Sequence, residues 1–441
     1  MEHQIDPKNV RSVLQEHILA DGFDMVLDLH KSKGAYLHDS VTGTEYLDFF
    51  TFFASNPLGM NHDRLAGDPD FVRKLGQVAV NKPSNSDIYT EEMANFVDTF
   101  SRIGIPDTMP YAFFVSGGAL AVENALKVAF DWKVQKNFKK GYTKEKGHKV
   151  LHLEKAFHGR SGYTMSLTNT NPDKVKYFPK FNWPRIPSPS LEYPLNETRQ
   201  AIVQEKEEIA LSKARRYFET DPDEIACIIL EPIQGEGGDN HFRKEFHQGL
   251  RDLADEFEAL LIYDEVQTGV GLTGKFWAHE YYVQPDILAF GKKAQVCGIL
   301  ATNRVDDIDT NVFHVSSRIN STWGGNLVDM VRFERILKVI EEDNLVENAL
   351  TTGNYLHQQL NDLAKEYEVL NNPRGKGLFC AIDLPDTEAR DSLKKECLNN
   401  HLMILGCGTK TIRFRPPLTI QKEQIDECMH ILKKSLESVL Q

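Results

Sequence analysis

No cysteine framework organises this chain. Its six cysteines, Cys227, Cys297, Cys380, Cys397, Cys407 and Cys428, make no CxxC pair and follow no regular spacing. That excludes a disulfide-stapled fold and reads as reduced thiols in a cytosolic protein, with no metal site expected. Basic residues are in deficit: 51 Lys and Arg stand against 64 Asp and Glu, for a formal net charge of -13. Such a balance argues against nucleic acid, and against an anionic membrane, as a main partner. No apolar run approaches a membrane span, and Met-Glu-His-Gln-Ile-Asp at the start lacks the pattern of a signal peptide. Internal repeats and low-complexity tracts are missing too. These absences leave a soluble, cytoplasmic enzyme or binding protein.

The composition that remains is ordinary for a globular protein, 41% hydrophobic and 26% charged over 441 residues. That length suits two domains or one large elaborated α/β domain. The most informative stretch is Gln284 to Gly298. Ile287 to Phe290 is wholly apolar, the pattern of a strand buried on both faces, and Gly291, Lys292 and Lys293 follow at once. A lysine in that place is either a snorkelling surface residue or an amine held in a dry pocket. In the second case desolvation lowers its pKa and makes it a nucleophile toward carbonyl carbon.

Further strand–helix units surround this one. Residues 10–20 suggest a short amphipathic helix, and Gly34 to Phe49 reads as a hairpin turning at Ser40 to Thr44. Asn81 to Tyr89 is polar and loop-like, and a new unit begins near Glu91. Tyr111 to Val115 is strand-like and runs into Ser116-Gly-Gly-Ala119, after which Leu120 to Val134 has a helical period. A small-residue turn at a helix N-terminus is a natural anion site, although a plain tight turn looks the same in sequence. Val150 to Leu153 is the next strand, with Phe157-His-Gly-Arg160 beyond it. Residues 168–197, rich in Pro and Asn, form a long excursion or lid. Ile225 to Leu230 ends at Glu231 to Glu236, and a helix over Phe242 to Ala259 leads to the strand Leu260 to Tyr263 and to Asp264 to Gln267. A helix from Leu327 to Glu341, a strand from Leu378 to Leu384, a strand pair around Met403 and Ile412, and a last helix complete the chain. We divide it into residues 1–80 as an N-terminal segment joined to a smaller domain, 81–335 as a large domain, and 336–441 as the smaller C-terminal domain.

Strands alternating with helices argue for a mainly parallel sheet, whose ligand sits at the strands' carboxyl ends. Here those ends carry a phosphate turn, an aromatic ring, arginine and carboxylate side chains, a buried acid and an amine. That combination matches pyridoxal 5'-phosphate, which needs a lysine for its aldehyde and an acid against its ring nitrogen. Asp264 meets the second need, since a carboxylate keeps the ring nitrogen protonated and an uncharged group cannot; a plain loop or capping acid is the bland reading. Gly269-Val-Gly-Leu-Thr-Gly274 spells GxGxxG, but four polar residues, two of them carboxylates, separate it from its strand, which disfavours a nucleotide-binding oxidoreductase.

Together the motifs resemble the class III (ω-amino acid) aminotransferases over nearly the whole chain. The matching pieces are Tyr46-Leu-Asp-Phe49, Phe157-His-Gly-Arg160, Glu231-Pro-Ile-Gln-Gly-Glu236, Asp264-Glu-Val-Gln-Thr-Gly269, Pro285-Asp-Ile287 with Gly291-Lys292, and Ser321-Thr-Trp-Gly-Gly-Asn326. Asn81-Lys-Pro-Ser-Asn-Ser-Asp87, Gly117 to Lys127 and Arg413-Phe-Arg-Pro-Pro417 are most similar to the branch acting on the ε-amine of L-lysine. Ser116-Gly-Gly-Ala departs from the class's usual Ser-Gly-Thr/Ser-Glu turn, which leaves the phosphate mostly to backbone N–H groups. The resemblance implies an α/β fold of the type I, aspartate aminotransferase-like kind: a large domain with a mostly parallel seven-stranded sheet and a smaller α+β domain. It implies Lys292 and Asp264 as catalytic residues, Lys292 lying six residues after Asp286 and Lys293 seven. Gly118 and Ala119 are expected to hold phosphate, Phe157 to stack on the ring and Gln267 to reach its 3-hydroxyl. Thr322 is expected to complete the phosphate site of a neighbouring subunit, hence a homodimer with active sites at its interface. Arg160 is expected to bind the distal carboxylate of the substrate, with Asn320 near the α-amino group. Arg413 is assigned the α-carboxylate of 2-oxoglutarate, with Glu236 neutralising it when lysine is bound. The implied reaction moves the ε-amine of L-lysine to 2-oxoglutarate, giving glutamate. Ornithine and 4-aminobutyrate are the neighbouring donors to weigh, and a non-catalytic relative is the blandest alternative.

Overall fold

The computed structural model describes residues 5–440. Its centre is a seven-stranded sheet built where the sequence has its longest apolar runs. The hairpin predicted near the N-terminus comes first, as β1 (Tyr36–His38) and β2 (Glu45–Asp48). The central strands follow as β3 (Tyr111–Val115), β4 (Lys149–Leu153), β5 (Arg185–Ile186), β6 (Ile225–Leu230), β7 (Leu260–Asp264), β8 (Ile287–Phe290) and β9 (Cys297–Ala301). Their order across the sheet is β3-β9-β8-β7-β6-β4-β5. β5, β4, β6, β7 and β8 pair in parallel, while β9 runs antiparallel to both β8 and β3. Every residue of β6, β7, β8 and β9 is buried, as expected for strands covered by helices on both faces. Burial of each large aliphatic side chain there contributes roughly 1.5–3 kcal/mol relative to leaving it exposed.

The remaining strands are β10 (Asn371–Lys376), β11 (Phe379–Asp383), β12 (Leu402–Met403), β13 (Leu405–Cys407) and β14 (Thr411–Phe414). β10, β11, β14 and β13 make an antiparallel sheet, and β12 pairs in parallel with β2. N-terminal and C-terminal segments therefore share one small sheet.

Several expectations need adjusting. The short N-terminal helix spans Val10–Gln15, and Val13, Leu14, Ile18 and Leu19 around it are exposed. β5 and β9 were not read from the sequence, the first being two residues inside the irregular excursion, the second a short run interrupted by Gly298. β10 was hidden by its Asn-Asn-Pro-Arg-Gly composition, which scores as a turn. The glycine run Gly269 to Gly274 opens no helix. It is a packing surface instead: a Cβ at Gly274 would lie 2.9 Å from the Leu350 side chain, and one at Gly377 would lie 2.4 Å from the Thr273 carbonyl carbon. Among the described residues no helix is long and apolar enough to cross a membrane.

One local feature has no sequence signature. Thr51, Phe52, Phe53 and Ala54 all have positive φ, a single left-handed turn directly after β2. Each such non-glycine residue costs about 1–2 kcal/mol, so the surroundings must fix it. The buried Asp48 carboxylate accepts from the backbone N–H of Phe50 (2.8 Å) and Thr51 (2.7 Å), and the Thr51 hydroxyl donates to the Arg415 carbonyl at 2.7 Å.

Candidate active site

The carboxyl ends of β3, β4, β6, β7 and β8 open into one cavity of about 310 Å³. Gly118, Ala119, Phe157, Arg160, Asp264, Gln267 and Lys292 all line it, seven of the residues singled out from the sequence. Gly118–Lys139 is a helix whose N-cap, Gly117, has φ +110 and no side-chain capping bond. Its first-turn N–H groups at Gly118 and Ala119 are thus free for an anion. A Cβ at Gly118 would press to 3.0 Å from Val266, and one at Gly159 would strike Ala119 at 2.5 Å, so both glycines keep this cradle open.

The two adjacent lysines separate sharply. Lys293 is buried and its Nζ donates to the carbonyls of Gln267 (2.6 Å) and Ala54 (3.3 Å). Lys292 sits at φ +51 with its side chain on the cavity wall. Desolvation, together with the Arg413 and Arg415 guanidinium groups, lowers its pKa to about 8. A chain forced into left-handed backbone at a lysine is the kind of strain that functional sites retain.

At the inner end, Asp264 Oδ2 lies 2.8 Å from Nδ1 of the buried His158, and its Oδ1 accepts from Val266 N at 3.1 Å. Burial alone would lower the His158 pKa; the hydrogen bond to Asp264 and its charge outweigh that and raise it. Asp264 is thereby held as an acceptor with a fixed orientation. Beneath Phe157, the Glu231 carboxylate accepts from Phe157 N and Gly235 N, both at 3.2 Å, and burial pushes its pKa up to about 7.

Glu236 and Arg413 lie outside that cavity's lining but meet each other, Oε2 to Nη2 at 2.9 Å. Arg413 is almost wholly buried, and its Nε finds no partner among the described residues. Lys174, from the 168–197 excursion, takes the other Glu236 oxygen, Nζ to Oε1 at 2.5 Å. Burial would raise the Glu236 pKa, but Arg413 and Lys174 together bring it below the usual range. The Gln267 amide oxygen accepts from Arg415 Nε (3.3 Å) and Nη2 (3.1 Å), and Arg415 is itself paired with Asp239 at 2.7 Å. Arg160 is exposed at the rim, where the cavity meets a second, largely apolar one containing Tyr163, Phe178 and Phe181. Asn320 and Thr322 are exposed and line neither cavity; the Thr322 carbonyl accepts from the Ser84 hydroxyl.

Sequence reasoning did not assign His158, Glu231, Lys174 or Arg415. His158 and Glu231 follow strand ends, a usable signal. Arg415 is two residues from Arg413 and so shares its face of an extended strand. Lys174 lies in an irregular segment and had no signal.

The described residues hold no cluster of His, Cys, Asp and Glu suited to a metal ion. Free helical N–H groups, apolar walls at Phe157 and Val266, a fixed carboxylate and a nucleophilic amine do fit a phosphorylated aromatic aldehyde. The comparisons with known proteins agree with this chemistry. The model of the family described as "Aminotransferase class-III" matches residues 19–436. An L-lysine-epsilon aminotransferase of Mycobacterium tuberculosis is 53% identical over 435 residues, 98% of this chain and 96% of that protein. One from Amycolatopsis lactamdurans is 52% identical, with 98% and 96% covered. The solved structure of the M. tuberculosis lysine aminotransferase in its internal aldimine form superposes with a TM-score of 0.97 at 52% identity, covering 99% of this chain and 100% of that one.

Proposed function

The chain belongs to the class III aminotransferases, and from that premise we propose that it transfers the ε-amino group of L-lysine to 2-oxoglutarate. The products are glutamate and 2-aminoadipate 6-semialdehyde, which cyclises to piperideine-6-carboxylate. Pyridoxal 5'-phosphate is the proposed cofactor; when bound it supplies an aldehyde for amines and a protonated ring that accepts electrons. Gly118 and Ala119 would hold its phosphate through backbone N–H groups. Phe157 would cover the ring, Gln267 would serve its 3-hydroxyl, and Asp264, whose carboxylate His158 fixes, would keep the ring nitrogen protonated. Lys292 Nζ would provide the amine that holds the aldehyde and, once a substrate amine has displaced it, would take the proton from the amine-bearing carbon of the substrate.

The observation that carries the two-substrate reading is the Glu236–Arg413 pair beside the lysine pocket. L-Lysine presents a terminal amine followed by apolar methylenes, and an unpaired buried guanidinium beside them would cost several kcal/mol. Glu236 cancels that charge. 2-Oxoglutarate brings its α-carboxylate to the same arginine, and Glu236 swings away by rotation of its own side chain. Arg160 binds the far carboxylate of either substrate. A second copy of the chain brings Thr322 to the phosphate and Asn320 to the α-amino end, and the exposed Ile88, Tyr89 and Trp323 near Thr322 support that homodimer.

A panel of amino donors with product identification tests the assignment. L-Lysine is expected to give the cyclised semialdehyde and to outpace ornithine and 4-aminobutyrate. A preference for either of those donors moves the chain to another branch of the class.

A further inference from the structure

Glu236 is clamped from two sides, and only one of them belongs to the pair just described. Lys174 Nζ lies 2.5 Å from Oε1, while Arg413 Nη2 lies 2.9 Å from Oε2. Lys174 closes the short 3-10 turn Pro172–Lys174, and its ammonium stands 5.3 Å from the centroid of the Phe157 ring. It therefore joins Glu236, outside the cavity's lining, to Phe157, which lines it. Lys174 and Glu236 are each about one-quarter exposed, 27% and 26%, against 3% for Arg413. The lysine side of the clamp is the more exposed and the arginine side the more buried.

We propose that Lys174 is a positioning residue for the 2-oxoglutarate half-reaction, holding Glu236 after it leaves Arg413. This rests on the Glu236–Arg413 reading above. Charge decides the direction. With Glu236 on Arg413, the cluster of Arg413, Glu236 and Lys174 carries one net positive charge. When a substrate α-carboxylate takes Arg413, the same cluster plus that carboxylate sums to zero, and each acid has its own cation. Without Lys174 the sums fall to zero and to one net negative charge, so the carboxylate-bound state now holds an unmatched anion in a partly dry site. Sharing points the same way. In the clamped state Glu236 divides its interaction between two cations, whereas in the released state Lys174 is its sole partner and the bond is correspondingly stronger. Glu236 thus pivots about Oε1 instead of crossing to solvent. Arg415 leaves this sum unaltered, because it is already matched by Asp239 at 2.7 Å. Lys292, which also feels Arg413 and Glu236, is the same with and without Lys174 and does not alter the comparison.

The test is a pair of variants, Lys174→Met and Lys174→Arg, in the cofactor-loaded enzyme. Stopped-flow traces give each half-reaction separately, and calorimetric titration with glutarate, an unreactive dicarboxylate, reads binding without chemistry. Lys174→Met is expected to shift the ratio of the two half-reaction constants about tenfold toward lysine and to weaken glutarate about tenfold. Lys174→Arg keeps the charge and is expected to restore both. Equal losses in the two half-reactions, or unchanged glutarate affinity, would overturn the proposal. Glu236→Ala, measured alongside, keeps its failure apart from that of the underlying reading. That variant is expected to lose more of the lysine half-reaction, the opposite bias; equal losses there sink the Glu236 exchange itself.

Discussion

Lys292 and Lys293 are chemically identical neighbours with opposite surroundings. Lys293 spends its protons on two carbonyls, and burial holds its pKa well below the ordinary value; Lys292 faces the cavity with a pKa of about 8. The lowered pKa means the amine is charged below pH 8 and free above it, so its reactivity rises through that pH while exposed lysines remain protonated. Trinitrobenzenesulfonate labelling of the cofactor-free protein, mapped by peptide, is expected to reach half its maximum on Lys292 near pH 8. Label appearing first on Lys293 would contradict the assignment. Asp264 poses a second question at this scale. Asp264→Asn keeps the shape but removes the charge that, in the proposed function, would keep the ring nitrogen protonated. It is expected to retain bound cofactor by absorbance and to lose about a hundredfold or more in single-turnover rate with lysine.

At the scale of elements, the turn Gly235 to Gly238 and the left-handed turn Thr51–Ala54 do the positioning. The first carries Glu236 between neighbours that leave no room: a Cβ at Gly237 would lie 2.0 Å from the Lys155 carbonyl oxygen, and one at Gly235 would lie 2.4 Å from the Gln267 amide. Gly237→Ala must move the turn. We expect a stability loss of about 1–3 kcal/mol by urea titration, with a larger fall in the lysine half-reaction than in the other, since Glu236 is displaced from Arg413. An unchanged urea midpoint would show the turn to be looser than its contacts imply. The second turn supplies the carbonyls of Ala54 and Ser55 to Lys293 Nζ and the Gln295 amide. Those bonds hold the segment that follows Lys292 from behind.

For the whole molecule, the joint between the large sheet and the C-terminal strands is ionic and dry. Arg415 pairs with Asp239 at 2.7 Å with both about 1% exposed, and Arg374 pairs with Asp383 at 2.8 Å while its Nη2 also donates to the Gly238 carbonyl. Removing one partner leaves a buried charge without compensation. Asp239→Ala is expected to cost about 3–5 kcal/mol in unfolding free energy, read as a lowered urea midpoint, and a midpoint near wild type would mean water reaches Arg415. The proposed homodimer makes its own demand. Ile88, Tyr89 and Trp323 are 70%, 76% and 42% exposed, on loops tied together by the Asn85 N–H to the Trp323 carbonyl. Trp323→Glu is expected to shift sedimentation toward monomer and to lower cofactor affinity through loss of Thr322. A monomeric wild-type protein would remove the basis for both.

The sequence by itself determined five of the seven central strands, β3, β4, β6, β7 and β8, and the order of chemistry at their ends. Apolar runs such as Ile225 to Leu230 and Leu260 to Tyr263 are buried on both faces wherever they occur, so strand ends and the residues just past them were legible without coordinates. Asp264, Lys292, Phe157 and the Ser116 to Ala119 turn all came from that rule. A class-wide motif added Glu236 and a motif of the lysine branch added Arg413, 177 positions apart along the chain. The strand-end rule left Lys292 and Lys293 equal, and only the interval from Asp286 in the class resemblance separated them. The physical reason, left-handed backbone at Lys292 and two carbonyls on Lys293 Nζ, came from tertiary structure. It alone brought His158 onto Asp264, Arg415 onto Gln267 and Lys174 onto Glu236. Such contacts join elements remote in sequence, and their partners are chosen by the packing of whole strands and turns, which local patterns of polarity do not encode.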